Sequence, residues 1–166
     1  AAGAPTGVWL SLEPSSTTDD YVKWRFIKPA LPAVAENLTA QFGELWTSDD
    51  IGRPTQPGYA YFDETTGTWV VGGGGADILG QVDQFHYVSQ GFSGDGTLIV
   101  KVDSVQNTDQ YSKAGLMFRA STAVDAPYAH LFAGPGTIGF EFRAVSGGDT
   151  LAAAYTGGTA PKWLKL

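Results

Sequence analysis

Gln84, His86, Arg119, Glu141 and Arg143 stand at alternate positions of stretches that otherwise read as apolar strands. Planar amide, imidazole, carboxylate and guanidinium groups are the types that hydrogen-bond sugar hydroxyls, and aromatic rings beside them can lie against the apolar face of a pyranose. On neighbouring strands of one antiparallel sheet, these residues would share the concave face and form a glycan-binding surface. The same set also suits a solvated face with ion pairs such as Arg119 to Glu141, and the sequence leaves both readings open. Trp69, Tyr111 and Trp163 are either stacking platforms or core, whereas Phe85 and Tyr87 alternate as core residues.

Catalytic chemistry is harder to assemble. Retaining glycoside hydrolases place two carboxylates about 5 to 5.5 Å apart, and no Glu-x-Asp-x-x-Glu run is present. Glu141, in Gly139-Phe140-Glu141-Phe142-Arg143, has an arginine rather than a second carboxylate two residues away, so it reads as a salt-bridged or surface group. His86 and His130, the two histidines, lie in neither a nucleophile elbow nor a metal-binding spacing. His86 therefore reads as a hydrogen-bonded structural residue, zinc is not expected, and the chain is not read as an enzyme. No cofactor is expected, with calcium left open because Asp49, Asp50, Asp95 and Asp103 could present oxygens, although no spacing forms a defined calcium loop. Gly72 to Gly75 lacks the Lys-Ser/Thr and the helix of a phosphate loop, and reads as a bend or a point of close packing.

The elements that would position these groups follow from side-chain period. Gln84 to Ser89 alternates, with Phe85 and Tyr87 on one face and Gln84, His86 and Val88 on the other. Ser93-Gly94-Asp95-Gly96 supplies a tight reversal, and Thr97 to Val102 follows as a β-branched strand with Leu98, Val100 and Val102 on one side. In Ala114 to Arg119, the alternation puts Ala114, Leu116 and Phe118 inward and Gly115, Met117 and Arg119 outward. Further strands are expected at Gly58 to Phe62, Thr68 to Val71, Leu151 to Tyr155 and Trp163 to Leu166. Tyr128 to Phe132 and Ile138 to Val145 are expected to form a hairpin about Gly134-Pro135-Gly136.

The strings GADI, QVDQFHYV, GDGTLIVKVDSVQNTDQYSKAGLMFR, IGFEFRAV and TAPKWLKL together resemble the concanavalin A-like lectin/glucanase jelly-roll modules related to the "regulation of enolase" protein. The resemblance covers about residues 46–166. It implies an all-β antiparallel sandwich, and members often sit in secreted, multi-modular bacterial proteins, many of them polysaccharide-degrading. In the family several more strands follow the TAPKWLKL run. The expectation is therefore a sandwich incomplete at its C-terminus, either because the chain is a fragment or because strands from another chain complete it.

Size and composition agree with this class. The chain of 166 residues suffices for one domain with a sizeable core, and 22 glycines and 9 prolines suit a turn-rich β protein. A net charge of −7 argues against nucleic acid or an anionic membrane surface as partner. Cysteine is absent, so there is no disulfide framework, and no run approaches the length of a membrane-spanning helix. The opening Ala1-Ala2-Gly3-Ala4-Pro5 lacks an initiator Met and fits a mature N-terminus after export or an internal cut, and the first of these is the expectation, with a secreted or cell-surface location.

Residues 1–45 read as an N-terminal arm or linker, or as part of a neighbouring module, with the alternative that they pack on the same sandwich. Val8 to Leu10 and Tyr21 to Ile27 could be strands and Leu31 to Phe42 a short helix, and Asn37-Leu38-Thr39 matches a glycosylation sequon. Two functions are expected. The first is a non-catalytic extracellular module that binds a polysaccharide or glycan; the second is a structural subunit of a surface or filamentous assembly, partnered by a second chain or identical subunits.

Overall fold

The computed structural model describes residues 6–7, 22–25 and 46–166, and among these the chain is all β. The strands are β1 (Thr6–Gly7), β2 (Val22–Arg25), β3 (Thr47–Ile51), β4 (Tyr59–Asp63), β5 (Thr68–Gly72), β6 (Asp77–Leu79) and β7 (Val82–Ser89). They continue with β8 (Gly91–Phe92), β9 (Ile99–Val105), β10 (Ala114–Arg119), β11 (Tyr128–Ala133), β12 (Thr137–Arg143), β13 (Leu151–Gly157) and β14 (Lys162–Lys165). Every pairing is antiparallel: β14-β9-β2-β5-β4 form one sheet, β10-β11-β12-β13 a second, β3-β7-β6 a third, and β1 pairs with β8.

The main core lies between the five-stranded sheet and the other two large sheets. Val71, Val100, Val102 and Leu164 from the first meet Val88, Ala114, Leu116 and Ala133 from the others. These are valines, alanines and leucines, and within a strand they recur at every second position, the pattern that a pleated surface buries on one face. The expected alternation of Val100 and Val102 with Leu98 holds, since all three pack here. Trp69 also joins this core, its ring 5.9 Å from that of Trp46, whereas Tyr111 and Trp163 are exposed.

Two expectations are corrected. The Ser93 to Gly96 segment does not close a hairpin: β7 pairs with β3 and β6, and β9 pairs with β14 and β2, so the segment carries the chain from one sheet to another. Turn chemistry at Gly94, whose φ is 91°, permits the reversal but does not select the partner strand. The second correction concerns β10. Met117 and Arg119, expected to face outward, are buried. The reason is a second apolar cluster, in which Met117 and Tyr128 pack with Ile51, Ile78, Phe85 and Tyr87 on the side away from the main core.

Two short described segments from the first 45 residues, β1 and β2, pair with strands of the remainder. β2, from within the run Tyr21 to Ile27, lies between β9 and β5 and pairs with both. The other expected elements there, Val8 to Leu10 and the helix at Leu31 to Phe42, lie outside the described residues, as does Asn37.

Candidate functional site

Cross-strand register brings the polar groups together in rows. Arg119, Tyr128 and Arg143 are partners across β10, β11 and β12, and Met117, His130 and Glu141 form the next row. Cross-strand partners share a face, so Arg119, Glu141 and Arg143 lie side by side, as expected. Gln84 and His86 do not join them. On β7 the face toward Arg119 is that of Asp83, Phe85 and Tyr87, which corrects the expectation of one shared concave face.

Asp83 sits between the two arginines. Its Oδ2 accepts hydrogen bonds from Arg119 Nη1 and, at 2.7 Å, from Arg143 Nη1, while Oδ1 accepts from Arg143 Nη2 at 2.7 Å. All three side chains are fully buried. The remaining donors close loops: Arg119 reaches the carbonyls of Ser121 and Ala123, and Arg143 those of Gly80, Ala126 and Gly148. The Tyr128 ring lies 5.7 Å from the guanidinium of Arg119 and 5.0 Å from that of Arg143, a cation–π geometry. Burial works against charge on Arg143, but the hydrogen bond and charge of Asp83 prevail and raise its pKa above the ordinary arginine value.

Glu141 anchors a second cluster. It accepts from His130 Nδ1 at 3.0 Å, from Lys113 Nζ at 3.3 Å and from the Tyr155 hydroxyl at 3.2 Å. Lys113 in turn donates to Asp77 at 2.8 Å and to the Ile78 carbonyl at 3.2 Å, which ties β6 to β12. Burial opposes the Glu141 carboxylate, yet the hydrogen bond and charge of His130, followed by those of Lys113, hold its pKa below the usual value. Burial pulls the His130 pKa down, against the pull of the Glu141 hydrogen bond and charge. The pair expected between Arg119 and Glu141 does not form, because Asp83 and Lys113 supply nearer partners.

Gln84 and His86 serve the opposite face of β7. His86 Nδ1 lies 2.7 Å from Asp50 Oδ1 and its Nε2 lies 3.0 Å from Ser48 Oγ. The side chain fits only because Gly58 and Gly73 carry none: a Cβ on Gly58 would come within 2.0 Å of the imidazole ring, and one on Gly73 within 2.5 Å of the His86 Cβ. The four-glycine loop is thus a site of close packing. Gln84 donates to the Gly52 carbonyl at 2.9 Å. Asp50 is engaged with the Gly58 amide as well, Asp103 pairs with Lys101, and among the described residues no group of three His, Asp or Glu is placed to hold a metal ion.

Sequence reasoning missed Asp83, Lys113, His130 and Tyr155. A signal existed for two of them. Asp83 has the parity of Phe85 and Tyr87, and His130 that of Tyr128 and Phe132, so each is a polar residue on an apolar face that needs a buried partner. The expected sugar-binding groups of Arg119, Arg143 and Glu141 are spent on internal partners, and this arrangement holds strands and loops in place.

The chain was compared with family models, curated proteins and solved structures, and none matches.

Two outcomes follow from this geometry. Asp83→Asn leaves two buried guanidinium groups without their anion, which should cost about 3–5 kcal/mol of stability, read as a lower urea midpoint at unchanged slope. A loss under 1 kcal/mol would contradict the burial. The pH dependence is also fixed in sign. The folded-state pKa of His130 lies below 6.5 and that of Glu141 below 4.5. The unfolded chain therefore binds more protons at both sites, and stability is full above those values and falls as pH drops through them. His130→Gln should flatten the upper part, just below pH 6.5, in unfolding curves measured across pH; an unchanged slope there would rule out His130 as its source.

Proposed function

We propose that this chain is a non-catalytic, extracellular β-sandwich module of the concanavalin A-like kind that acts as a structural unit, joining other copies of itself through the edge of β13, which pairs only with β12 among the described residues. The observation that carries this reading is the chemistry of that edge. β3, β4, β6 and β14 carry Asp49 and Asp50, Asp63, Asp77, and Lys162 and Lys165, the charges that discourage edge-to-edge pairing. β13 is Leu-Ala-Ala-Ala-Tyr-Thr-Gly, with no charge and no proline, and all seven residues are exposed at the end of its sheet.

The surface beside this edge supports the same reading. Phe140 and Phe142 lie on the main-core face of β12, with ring centroids 6.2 Å apart, yet stay only half-buried. Leu151, the register partner of Phe142, is 52% exposed. β14 packs over β10 and β11. A second copy pairing at β13 would bring apolar surface against the two rings, and sheet extension of this kind draws on main-chain hydrogen bonds. The extracellular setting rests on the resemblance to modules of secreted bacterial proteins. Sugar recognition through Gln84, His86, Arg119, Glu141 and Arg143 is the weaker reading, because those groups already have internal partners.

Sedimentation velocity over a range of concentrations tests the proposal. The wild-type chain should associate, and lysines at Ala152 and Ala154 should weaken association at least about ten-fold, or 1.4 kcal/mol. The urea midpoint should hardly move, since both sites are exposed. A wild-type chain that stays monomeric at its highest soluble concentration would contradict the proposal.

A further inference from the structure

The cluster around Glu141 brings a lysine and an aspartate together in front of a buried carboxylate. Lys113 Nζ lies 2.8 Å from Asp77 Oδ1 and 3.3 Å from each carboxylate oxygen of Glu141. The Lys113 side chain is 9% exposed and that of Glu141 is fully buried, whereas Asp77 keeps one side open to solvent. Around the ammonium stand the buried Ile78, whose carbonyl accepts from it at 3.2 Å, and the Phe132 ring, whose centroid is 5.3 Å away. His130 and Tyr155 hold the Glu141 carboxylate in place. The neighbouring Asp83 cluster is built on arginines, which keep their protons. A buried lysine can give one up and become a nucleophile.

We propose that Lys113 and Asp77 join through an isopeptide bond, with Glu141 carrying the protons. The Glu141 carboxylate takes a proton from the Lys113 ammonium and passes it to Asp77, so that a neutral amine faces a neutral carboxyl group. Nζ then attacks Cγ of Asp77. Glu141 takes a second proton from the nitrogen and delivers it to the departing hydroxyl, the Cγ–O bond breaks, and water leaves by the open side of Asp77. One ammonium and one carboxylate become one amide and one water, and Glu141 ends as it began. No oxidant and no outside reactant enter. Contact between the groups supplies the effective concentration that free solutes lack. Burial favours the product, since two charges poor in water give way to a neutral amide. The new N–H stays beside Glu141 as a donor. The bond ties β6, a strand of three residues, to the entry of β10 and closes residues 77–113 into a loop, which restricts the unfolded chain as a disulfide does. The reaction occurs once within its own chain, so it suits a non-catalytic structural unit, and it goes beyond β13 association without depending on it.

Mass spectrometry of the purified, fully denatured 166-residue chain is the test. The chain should weigh one water less than its sequence, and tandem spectra of a digest should show the peptide that contains Asp77 joined to the one that contains Lys113. Lys113→Arg and Asp77→Ala should each restore the full mass. Glu141→Gln should leave most of the chain at full mass, with circular dichroism checking that it folds. The wild-type mass and its linked peptides decide the bond whether or not that variant folds. Ala154→Lys, which weakens association at β13, should keep the link, so a monomeric chain that carries the bond separates this proposal from the previous one. A wild-type chain at full mass, a water loss that digestion places elsewhere, or a link that survives in Lys113→Arg would overturn the bond. An equally complete link in folded Glu141→Gln would overturn the role of Glu141.

Discussion

The rest of the structure depends on one buried carboxylate, Asp83, held between Arg119 and Arg143. Removing three ions from water costs several kcal/mol for each, and the molecule offsets that cost by giving the guanidinium groups neighbouring carbonyls and the face of Tyr128. The result joins β7 to β10 and β12, and draws in the loops that contain Ser121, Ala123 and Gly148. Because so many partners must be met at once, the arrangement fixes register and loop path more than it adds net stability. The neighbouring cluster of Glu141, His130, Lys113 and Asp77 does the same for β6 and β12.

A consequence is that the polar sheet face is closed. Groups that would hydrogen-bond a sugar on an open surface are instead the interior of a second, mixed core, lined by Ile51, Ile78, Phe85, Tyr87 and Met117. Among the described residues, the uncharged strand β13, the half-buried rings of Phe140 and Phe142 and the exposed Trp163 lie away from this closed face.

Much of this fold was legible from side-chain alternation. β7, β9, β10, β11 and β12 fall where period-2 patterning puts them, and the β11–β12 hairpin closes at the Gly134-Pro135-Gly136 turn. Partner choice was not legible, because alternation reports that a strand has two faces and says nothing of which strand lies beside it. This is why the segment after β8 was read as a hairpin and not as a crossing between sheets. The polar site was legible only in part. Parity grouped Arg119, Glu141 and Arg143 correctly, but a polar residue on one face of a strand reads as solvated unless something shows that both faces are buried. The decisive sign was Asp83, an acid at the parity of Phe85 and Tyr87, and its meaning appears only once two arginines from other strands stand beside it. β2 lies within the run Tyr21 to Ile27 that alternation marked as a strand, but its place between β5 and β9 was not legible, because both partners are far away in sequence.

The central claim is that Arg119 and Arg143 are interior structural groups and not a ligand surface. NMR of the arginine Nε–H groups at neutral pH tests it most directly. Two slowly exchanging Nε–H resonances should be seen, assigned by Arg119→Lys and Arg143→Lys, with the exposed Arg53 exchanging fast. Both protected signals should stay in place when oligosaccharides are added. Exchange at the rate of Arg53, or a shift of either signal with sugar, would contradict the account.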